Sequence, residues 1–351
     1  MRSQQGRLRE NSCLTASPSE ARKILGFARD LGFSRAGFVD PEALAGHAAP
    51  LPSDDLEWQW AAGPHEWKDR ASILVCCLSC HRREPSDLST PGDPHGLIAP
   101  FARRNYYKTA ARLMGRLAAR MEEELRIPRK DVRIFSNSRL PEKPFCVAAG
   151  LAWQGKNGLC IAPGLGSLFV IAGAVIPRAL AEAAPIAPRM EDLCGSCRRC
   201  LDACPSGALA TPGAVDRAKC LQGFAADPVV LGPAVMETWG ARLYGCQDCQ
   251  SACPHNRHLP EEGPSAVGEI GPSVSLRWFL SLDERRVKEL FHGTAMGLSW
   301  ISKDALVRNA IVAAGNSRNP ALRGCVTPYL GSATRALDTA ARWALERMTG
   351  A

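Results

Sequence analysis

Eight of the fifteen cysteines in this 351-residue chain fall into one segment, which contains two runs that each end in Cys-Pro. They are Cys194, Cys197, Cys200 and Cys204 in the first run, Cys220 alone, and Cys246, Cys249 and Cys253 in the second. Two residues between successive cysteines let a tight turn direct several thiolates, and peptide N–H groups, at one centre. The spacing indicates two four-iron clusters, so electron transfer is the first function predicted.

The assignment of ligands follows an analogy with bacterial two-cluster ferredoxins, in which the cysteine before proline serves the other cluster. Cluster one then takes Cys194, Cys197, Cys200 and Cys253, and cluster two takes Cys204, Cys220, Cys246 and Cys249. The second run departs from the ferredoxin repeat because the first of its four expected cysteines is absent. Cys220 is the lone cysteine in the gap and is expected to supply it.

Structural zinc and disulfide bonds fit the cysteine pattern less well. A zinc ribbon uses four thiolates as two pairs, not eight with two Cys-Pro endings. A disulfide framework suits small secreted domains, whereas this chain is long, 46% hydrophobic, and has no segment that we interpret as a signal peptide. No apolar run approaches the roughly 20 residues of a membrane span. We therefore expect a protein of the reducing cytoplasm.

Basic residues are concentrated in one part of the chain. The net charge is +8, and twelve basic but only five acidic residues lie between Arg103 and Lys143. Arg112, Arg116 and Arg120 share one face of a predicted helix and could attract the phosphates of a nucleic acid. A solvated helix face explains them more simply.

Hydrophobic periodicity predicts an α+β chain in three parts. Apolar runs predict strands at 71–78 and 168–176, and helical spacing predicts helices at 106–125, 303–314 and 333–348. We expect an irregular start over 1–17, an α/β domain over 18–180, a two-cluster ferredoxin-like domain over 181–290, and a HEAT-like helical tail over 291–351. A single pair of helices cannot bury its own apolar face, so the tail must pack on the rest of the protein.

The order of these parts resembles the epoxyqueuosine reductase family, the cobalamin-dependent iron–sulfur enzymes of queuosine tRNA modification. The resemblance covers roughly residues 20–348 and is most specific in the cysteine region. The segments that carry it are Cys194-Gly-Ser-Cys197-Arg-Arg-Cys200, Tyr244-Gly-Cys246-Gln-Asp-Cys249, Gly150-Leu-Ala-Trp153-Gln-Gly-Lys156-Asn157 and Arg308-Asn-Ala-Ile-Val-Ala-Ala-Gly-Asn-Ser317.

The resemblance implies a cobalamin held base-off between an N-terminal α/β cobalamin-binding domain and the cluster domain. It implies that two electrons and two protons convert an epoxide to an alkene with loss of water. It also implies tRNA as a partner. Because the sequence contains no nucleotide-binding fingerprint, we expect an external reduced ferredoxin or flavodoxin as electron donor. We also expect a monomer. The implied cofactor contacts are Ser138, Lys156, Asn157, Cys160, Ile171, Gln222, Tyr244, Gly245, Gln247 and Asp248. A plain turn at Lys156 and Asn157, and core packing at Cys160 and Ile171, explain those positions equally well.

The chain departs from the family at the expected catalytic position. In Phe135-Ser-Asn137-Ser-Arg-Leu-Pro-Glu142-Lys143, Asn137 stands where the family has a proton-donating aspartate. An amide can hydrogen-bond but cannot deliver a proton at neutral pH. Three cases stay open: a reductase with another donor (Glu142, Lys108 or water), a related corrinoid reductase with a different substrate, similar to reductive dehalogenases, or an electron carrier without cobalamin. Asn137 itself is either a substrate or cofactor contact or a turn residue.

Overall fold

The structure, a computed structural model, describes residues 18–40, 71–81, 87–180, 190–260 and 270–349. Some predicted features lie outside these ranges. They are the irregular start at 1–17, most of an Ala- and Pro-rich linker predicted at 177–188, and a tryptophan group, Trp58, Trp60 and Trp67, that could cover a cofactor cleft or pack in a core.

Nine strands are present in the described residues. They are β1 Arg35–Phe38, β2 Ser72–Ser79, β3 His95–Ile98, β4 Arg133–Ser136, β5 Trp153–Gln154, β6 Cys160–Ile161, β7 Phe169–Ile176, β8 Arg242–Tyr244 and β9 Ser273–Ser275. Four of them form a sheet in the order β1-β2-β7-β4, with β4 antiparallel to β7. The apolar runs at 71–78 and 168–176 become β2 and β7, so both strand predictions are confirmed.

The helices complete a mixed α+β architecture. They are α1 Pro18–Asp30, α2 Tyr106–Leu125, α3 Glu142–Ala148, α4 Arg199–Asp202, α5 Leu221–Phe224, α6 Pro233–Trp239, α7 Asp248–Ser251, α8 Leu276–Leu280, α9 Glu284–Phe291, α10 Lys303–Ser317, α11 Arg323–Val326 and α12 Arg335–Arg347. Short 3₁₀ turns lie between several of them, one of them at Pro254–Asn256. None of the helices in the described ranges is long and apolar enough to cross a membrane.

Helix α2 shows how well the apolar periodicity predicts local structure. Tyr106, Ala110, Leu113, Leu117 and Met121 recur at helical spacing; four of them are buried and Leu113 is half-buried. The backbone N–H of Lys108 donates to the side chain of Asn105, which satisfies one of the free donors at the start of the helix. The helix has the bounds predicted from the sequence.

The described residues divide into two compact units. The first contains described residues of 1–76, 111–151 and 172–189, and the second those of 77–110, 152–171 and 190–351. The predicted division at residues 180 and 290 is sequential, whereas these units take the chain in alternating segments. The three-part division therefore stays a prediction about domains.

The tail supplies the centre of the second unit. Residues 305–315 of α10 are buried without interruption, and the helix contacts α12, β8, α6 and α8. Three strands of the same unit form a sheet in the order β8-β3-β9. The prediction that the helical tail packs on the rest of the protein is confirmed, since α10 lies in the same core cluster as Trp239, Leu243 and Leu221.

Candidate metal centre

The first cysteine run forms two connected turns. The N–H of Cys197 donates to the carbonyl of Cys194 at 2.9 Å, and the short helix α4 then carries Cys200. Asp192 accepts a hydrogen bond from the N–H of Cys194 at 2.8 Å. Cys194, Cys197 and Cys200 are half-buried. Their thiols therefore lie on one loop, close to the surface of the second unit.

The second run repeats this arrangement. Cys246 follows β8, Cys249 lies in α7, and Cys253 precedes the 3₁₀ turn Pro254–Asn256. Cys220 lies directly before α5, where its N–H donates to the carbonyl of Asp216. A separate helix thus positions the ligand that the second run lacks.

The electrostatics of the thiols show which cysteines lie near one another. The pKa of Cys253 is raised by burial and by repulsion from Cys194 and Cys197. The pKa of Cys200 is raised by burial and then by Cys253 and Cys194. Cys253 therefore lies beside the three cysteines of the first run, although it is the last cysteine of the second.

The other four thiols are also close to one another. Burial raises the pKa of Cys249 to about 12, and repulsion from Cys246, Cys200, Cys220 and Cys204, in that order, adds to it. Cys249 thus lies near Cys246, Cys220 and Cys204, and also near Cys200 of the first run. Among the described residues, no three His, Cys, Asp or Glu side chains are close enough to hold a single metal ion. The thiolates of a four-iron cluster need not lie that close together, because each thiolate binds a different iron atom.

Polar contacts surround the cluster-two ligands. The side-chain oxygen of Gln222 accepts from the N–H of Cys246 at 3.2 Å. Burial raises the pKa of Tyr244 to about 12, while a hydrogen bond with Gln222 acts in the opposite direction. Arg242 and Asp248 form an ion pair. Gln222, Tyr244 and Asp248, all predicted cofactor contacts, are thus brought together around Cys246.

Gly245 has a structural reason to be glycine. Its φ is +92°, and a Cβ atom there would lie 2.4 Å from the Cβ of Ala99. Any other side chain would meet both backbone strain and a clash. The neighbouring Gln247 accepts hydrogen bonds at its carbonyl from Gln250 and Ser251 and so closes the first turn of α7.

Two polar residues of α10 bind the segments that carry Cys220 and Cys246. The Arg308 guanidinium donates to the carbonyls of Phe224, Asp227 and Val229 at 2.6 to 2.9 Å. The Asn309 amide donates to the carbonyls of Ala225 and Leu243 at 3.1 and 2.9 Å. Both side chains are fully buried. The sequence contains a signal of this contact, since an arginine and an asparagine inside an apolar helix require buried partners.

The Gly-rich segment lies beside cluster one. The Lys156 ammonium donates to the carbonyls of Gly195 and Cys197, which belong to the cluster-one loop. Asn157 is 2% exposed; its side-chain oxygen accepts from the N–H of Leu159, and its amide nitrogen has no partner within the described residues. Cys160 and Ile171 are buried in β6 and β7. The sequence alone does not predict that Lys156 holds the cluster-one loop.

Asn137 lies in a turn of the first unit. It follows β4 directly, is exposed, and has a φ of +52°, a left-handed conformation that asparagine adopts more readily than most residues. The Glu142 carboxylate accepts from the N–H and the hydroxyl of Ser138 at 2.7 and 3.0 Å. Burial raises the pKa of Glu142, against hydrogen bonds from Ser138 and Asn137 that lower it. Glu142 is therefore a carboxylic acid that is hydrogen-bonded to the turn containing Asn137.

The three arginines of α2 have different surroundings. Arg112 and Arg116 are exposed. Arg120 forms ion pairs with Asp30 and Glu124 and stacks over the ring of Phe27 at 4.0 Å. Arg112 and Arg116 are thus accessible to a nucleic acid, whereas Arg120 connects α2 to α1 through Asp30 and Phe27.

The fold and the two thiolate quartets define an iron–sulfur protein. Residues 193–256 match the family model described as a 4Fe-4S double cluster binding domain. The chain is 30% identical over 292 residues to the epoxyqueuosine reductase of Bacillus anthracis, covering 80% of this chain and 73% of that protein. It therefore belongs to the epoxyqueuosine reductase family.

Two further proteins are similar to this chain. The epoxyqueuosine reductase of Vibrio cholerae is 27% identical over 355 residues, which cover 94% of this chain and 92% of that protein. A crystal structure of an epoxyqueuosine reductase with an epoxyqueuosine-modified tRNA-Tyr stem loop has a TM-score of 0.77 and 23% identity, covering 93% of this chain and 89% of that one. The structural likeness shows that the fold is shared.

Proposed function

We propose that this chain is a cobalamin-dependent iron–sulfur reductase that converts epoxyqueuosine to queuosine in tRNA. The observation that carries the proposal is the complete pair of thiolate quartets in a member of this family. The reaction takes up two electrons and two protons and releases water, which leaves an alkene in place of the epoxide. The clusters suit this chemistry because each passes one electron at a time.

The chain has groups that fit a cobalamin. A corrinoid offers amide side chains, and the buried amide nitrogen of Asn157 is a donor without a partner among the described residues. When bound, cobalamin would supply a strongly reducing cobalt centre for the epoxide. Ser138, Asn157, Cys160, Ile171, Gln222, Tyr244, Gly245, Gln247 and Asp248 remain our proposed contacts. Lys156 is a weaker candidate, because its ammonium already binds the cluster-one loop.

The proton donor must differ from that of the family, because Asn137 cannot donate a proton. We propose Glu142 for this role. It lies in the same turn, and burial favours its protonated form. Asn137 would then hold the turn in its left-handed conformation and bind substrate or cofactor through its amide.

Binding of tRNA should depend on Arg112 and Arg116 and weaken steeply with salt, because each bound phosphate releases counterions. Replacing both by alanine should weaken binding and reduce the slope of log affinity against log salt by about 0.7 to 0.9 for each phosphate that is no longer bound. Fluorescence anisotropy with a labelled stem loop at several salt concentrations measures both. The control is Arg285→Ala, since that arginine is exposed and lies on α9. An unchanged slope in the double variant would remove the basic face from the proposal.

Several further properties accompany this function. The electrons are proposed to come from an external reduced ferredoxin or flavodoxin, and the protein to act as a monomer in the cytoplasm. A related corrinoid reductase with another substrate is the second candidate, and the observation that favours it is Asn137 at the donor position.

The function is tested by anaerobic purification, metal analysis and turnover of epoxyqueuosine-containing tRNA. The proposal expects about eight irons and, after reconstitution, about one cobalt per chain, together with queuosine formation. Cys220→Ser should abolish turnover, while Cys325→Ser, which removes a free thiol of the tail, should not. Iron and cobalt without turnover would favour another substrate, and iron without cobalamin uptake would favour an electron carrier.

A further inference from the structure

The hairpin formed by β5 and β6, residues 153–161, is fastened to the cluster-binding segment. The Gln154 amide donates to the carbonyl of Gly213 at 2.9 Å, and the N–H of Gly213 donates to the carbonyl of Lys156 at 2.9 Å. These bonds hold the Gln154 side chain and the Lys156 backbone, on either side of Gly155. The side chains of Trp153 and Lys156 are therefore held in place beside cluster one.

Lys156 brings a positive charge to the cluster-one loop. Its ammonium donates to the carbonyl of Gly195 and, at 3.0 Å, to that of Cys197, and both carbonyls belong to residues within the first cysteine run. Within the described part of the chain, no carboxylate pairs with this lysine. A fixed positive charge favours the reduced state of a cluster, which carries one more electron, and so raises its reduction potential.

Trp153 adds a buried donor at the same place. Trp153 is 3% exposed and packs with Cys253 and Cys194. Its ring meets the ring of His255 edge to face at 5.0 Å. The indole N–H has no acceptor among the described residues. A cluster held by those cysteines would place sulfur atoms beside the indole, and hydrogen bonds to cluster sulfur also raise the potential.

The surroundings of cluster two are different over the residues that the structure describes. Lys219, which directly precedes Cys220, is paired with Asp216 at 3.3 Å. Arg242, four residues before Cys246, is paired with Asp248. The N–H of Cys246 donates to Gln222 rather than to sulfur. The two clusters therefore differ in uncompensated charge and in available donors.

From these contacts we propose that Lys156 and Trp153 raise the reduction potential of cluster one above that of cluster two. Both residues act by setting the reduction potential of the cluster. The first electron that enters the protein then resides on cluster one at equilibrium. The proposal rests on the presence of both clusters and not on the substrate, so it can fail while the reductase function stands. Equally, a failed turnover assay leaves it intact.

Redox titration of the purified full-length protein with both clusters loaded, followed by electron paramagnetic resonance, tests the proposal and requires neither cobalamin nor tRNA. Wild-type protein should show two midpoint potentials. Lys156→Met should lower the higher one and leave the lower one unchanged, and Lys156→Arg should keep both. Trp153→Phe, which removes the N–H but retains an aromatic ring, should lower the same potential by a smaller amount.

Lys288→Met is the matched control, because it removes an exposed lysine, paired with Glu284, from the same unit. It should change neither potential. Equal shifts of both potentials in Lys156→Met, or a shift of the lower one alone, would overturn the proposal. If Lys156→Met fails to retain its clusters, Trp153→Phe decides: an unchanged higher potential in that variant overturns the proposal as well.

Discussion

Replacement of Arg308 by methionine should lower the free energy of unfolding by about 3 to 5 kcal/mol and impair assembly of cluster two. Methionine retains much of the volume of the side chain but leaves the carbonyls of Phe224, Asp227 and Val229 without their charged donor. A hydrogen bond from a charged group contributes about 1.5 to 3 kcal/mol. Burial lowers the pKa of Arg308 to about 10, so its guanidinium is still charged at neutral pH.

The effect on cluster two follows from where those carbonyls lie. They belong to the segment after Cys220, and Asn309 binds the carbonyl of Leu243, three residues before Cys246. Two of the four cluster-two ligands are thus positioned by one turn of α10. The hydrogen bonds of Arg308 and Asn309 do not reach the cluster-one loop. We therefore expect iron content in Arg308→Met to fall toward half, with the spectrum of one cluster retained.

Thermal unfolding and iron analysis of anaerobically purified protein measure both effects. Arg342→Met is the control, since Arg342 lies on α12 of the same tail but is exposed and pairs with Asp338 one turn away. It should unfold and bind iron as the wild type does. If Arg308→Met is destabilised but binds the full amount of iron, the tail does not contribute to assembly of cluster two. Arg308 then has a role in folding only.

The parts of the site that the sequence predicts are those encoded over short distances. Cysteine spacing specifies the turns around each cluster, and the apolar repeat of α2 specifies the helix that carries Arg112 and Arg116. In the structure, the assignment of Cys253 to the first set is supported by its repulsion with Cys194 and Cys197. That assignment depends on ferredoxin analogy and not on spacing alone.

Contacts over long distances are not predictable in the same way. Lys156 lies in a loop that suits a turn, a phosphate or a cofactor equally well, and only the fold brings it to Gly195. Arg308 and Asn309 belong to a segment that resembles the family, but their backbone partners lie 66 or more residues away. Likewise, the sequence identifies Asn137 as a departure from the family, while its left-handed backbone is a property of the folded turn.

A Glu142→Gln variant should reduce epoxyqueuosine in tRNA about 10²- to 10⁴-fold more slowly than the wild type, if Glu142 supplies the proton as a general acid. The variant is nearly isosteric, and the glutamine oxygen can still accept the two hydrogen bonds from Ser138. A slower reaction therefore reports the absent proton rather than a disrupted turn. Single-turnover assays with prereduced protein separate this step from electron supply.

The pH dependence provides the second measurement. Burial raises the pKa of Glu142 above its ordinary value. A general acid works in its protonated form, so wild-type turnover should fall as pH rises through that pKa, and Glu142→Gln should lack this decline.

Asn137→Asp in the Glu142→Gln background completes the test, because it places a carboxyl at the position where the family has its aspartate. Asparagine and aspartate both tolerate the left-handed backbone of residue 137, so the exchange should keep the turn and restore part of the rate. Recovery would show that the turn delivers either acid to the same reacting group. An active Glu142→Gln with an unchanged pH profile would instead leave water or Lys108 as the donor, and the carboxylate would then serve only to hold Ser138 and Asn137 in their turn.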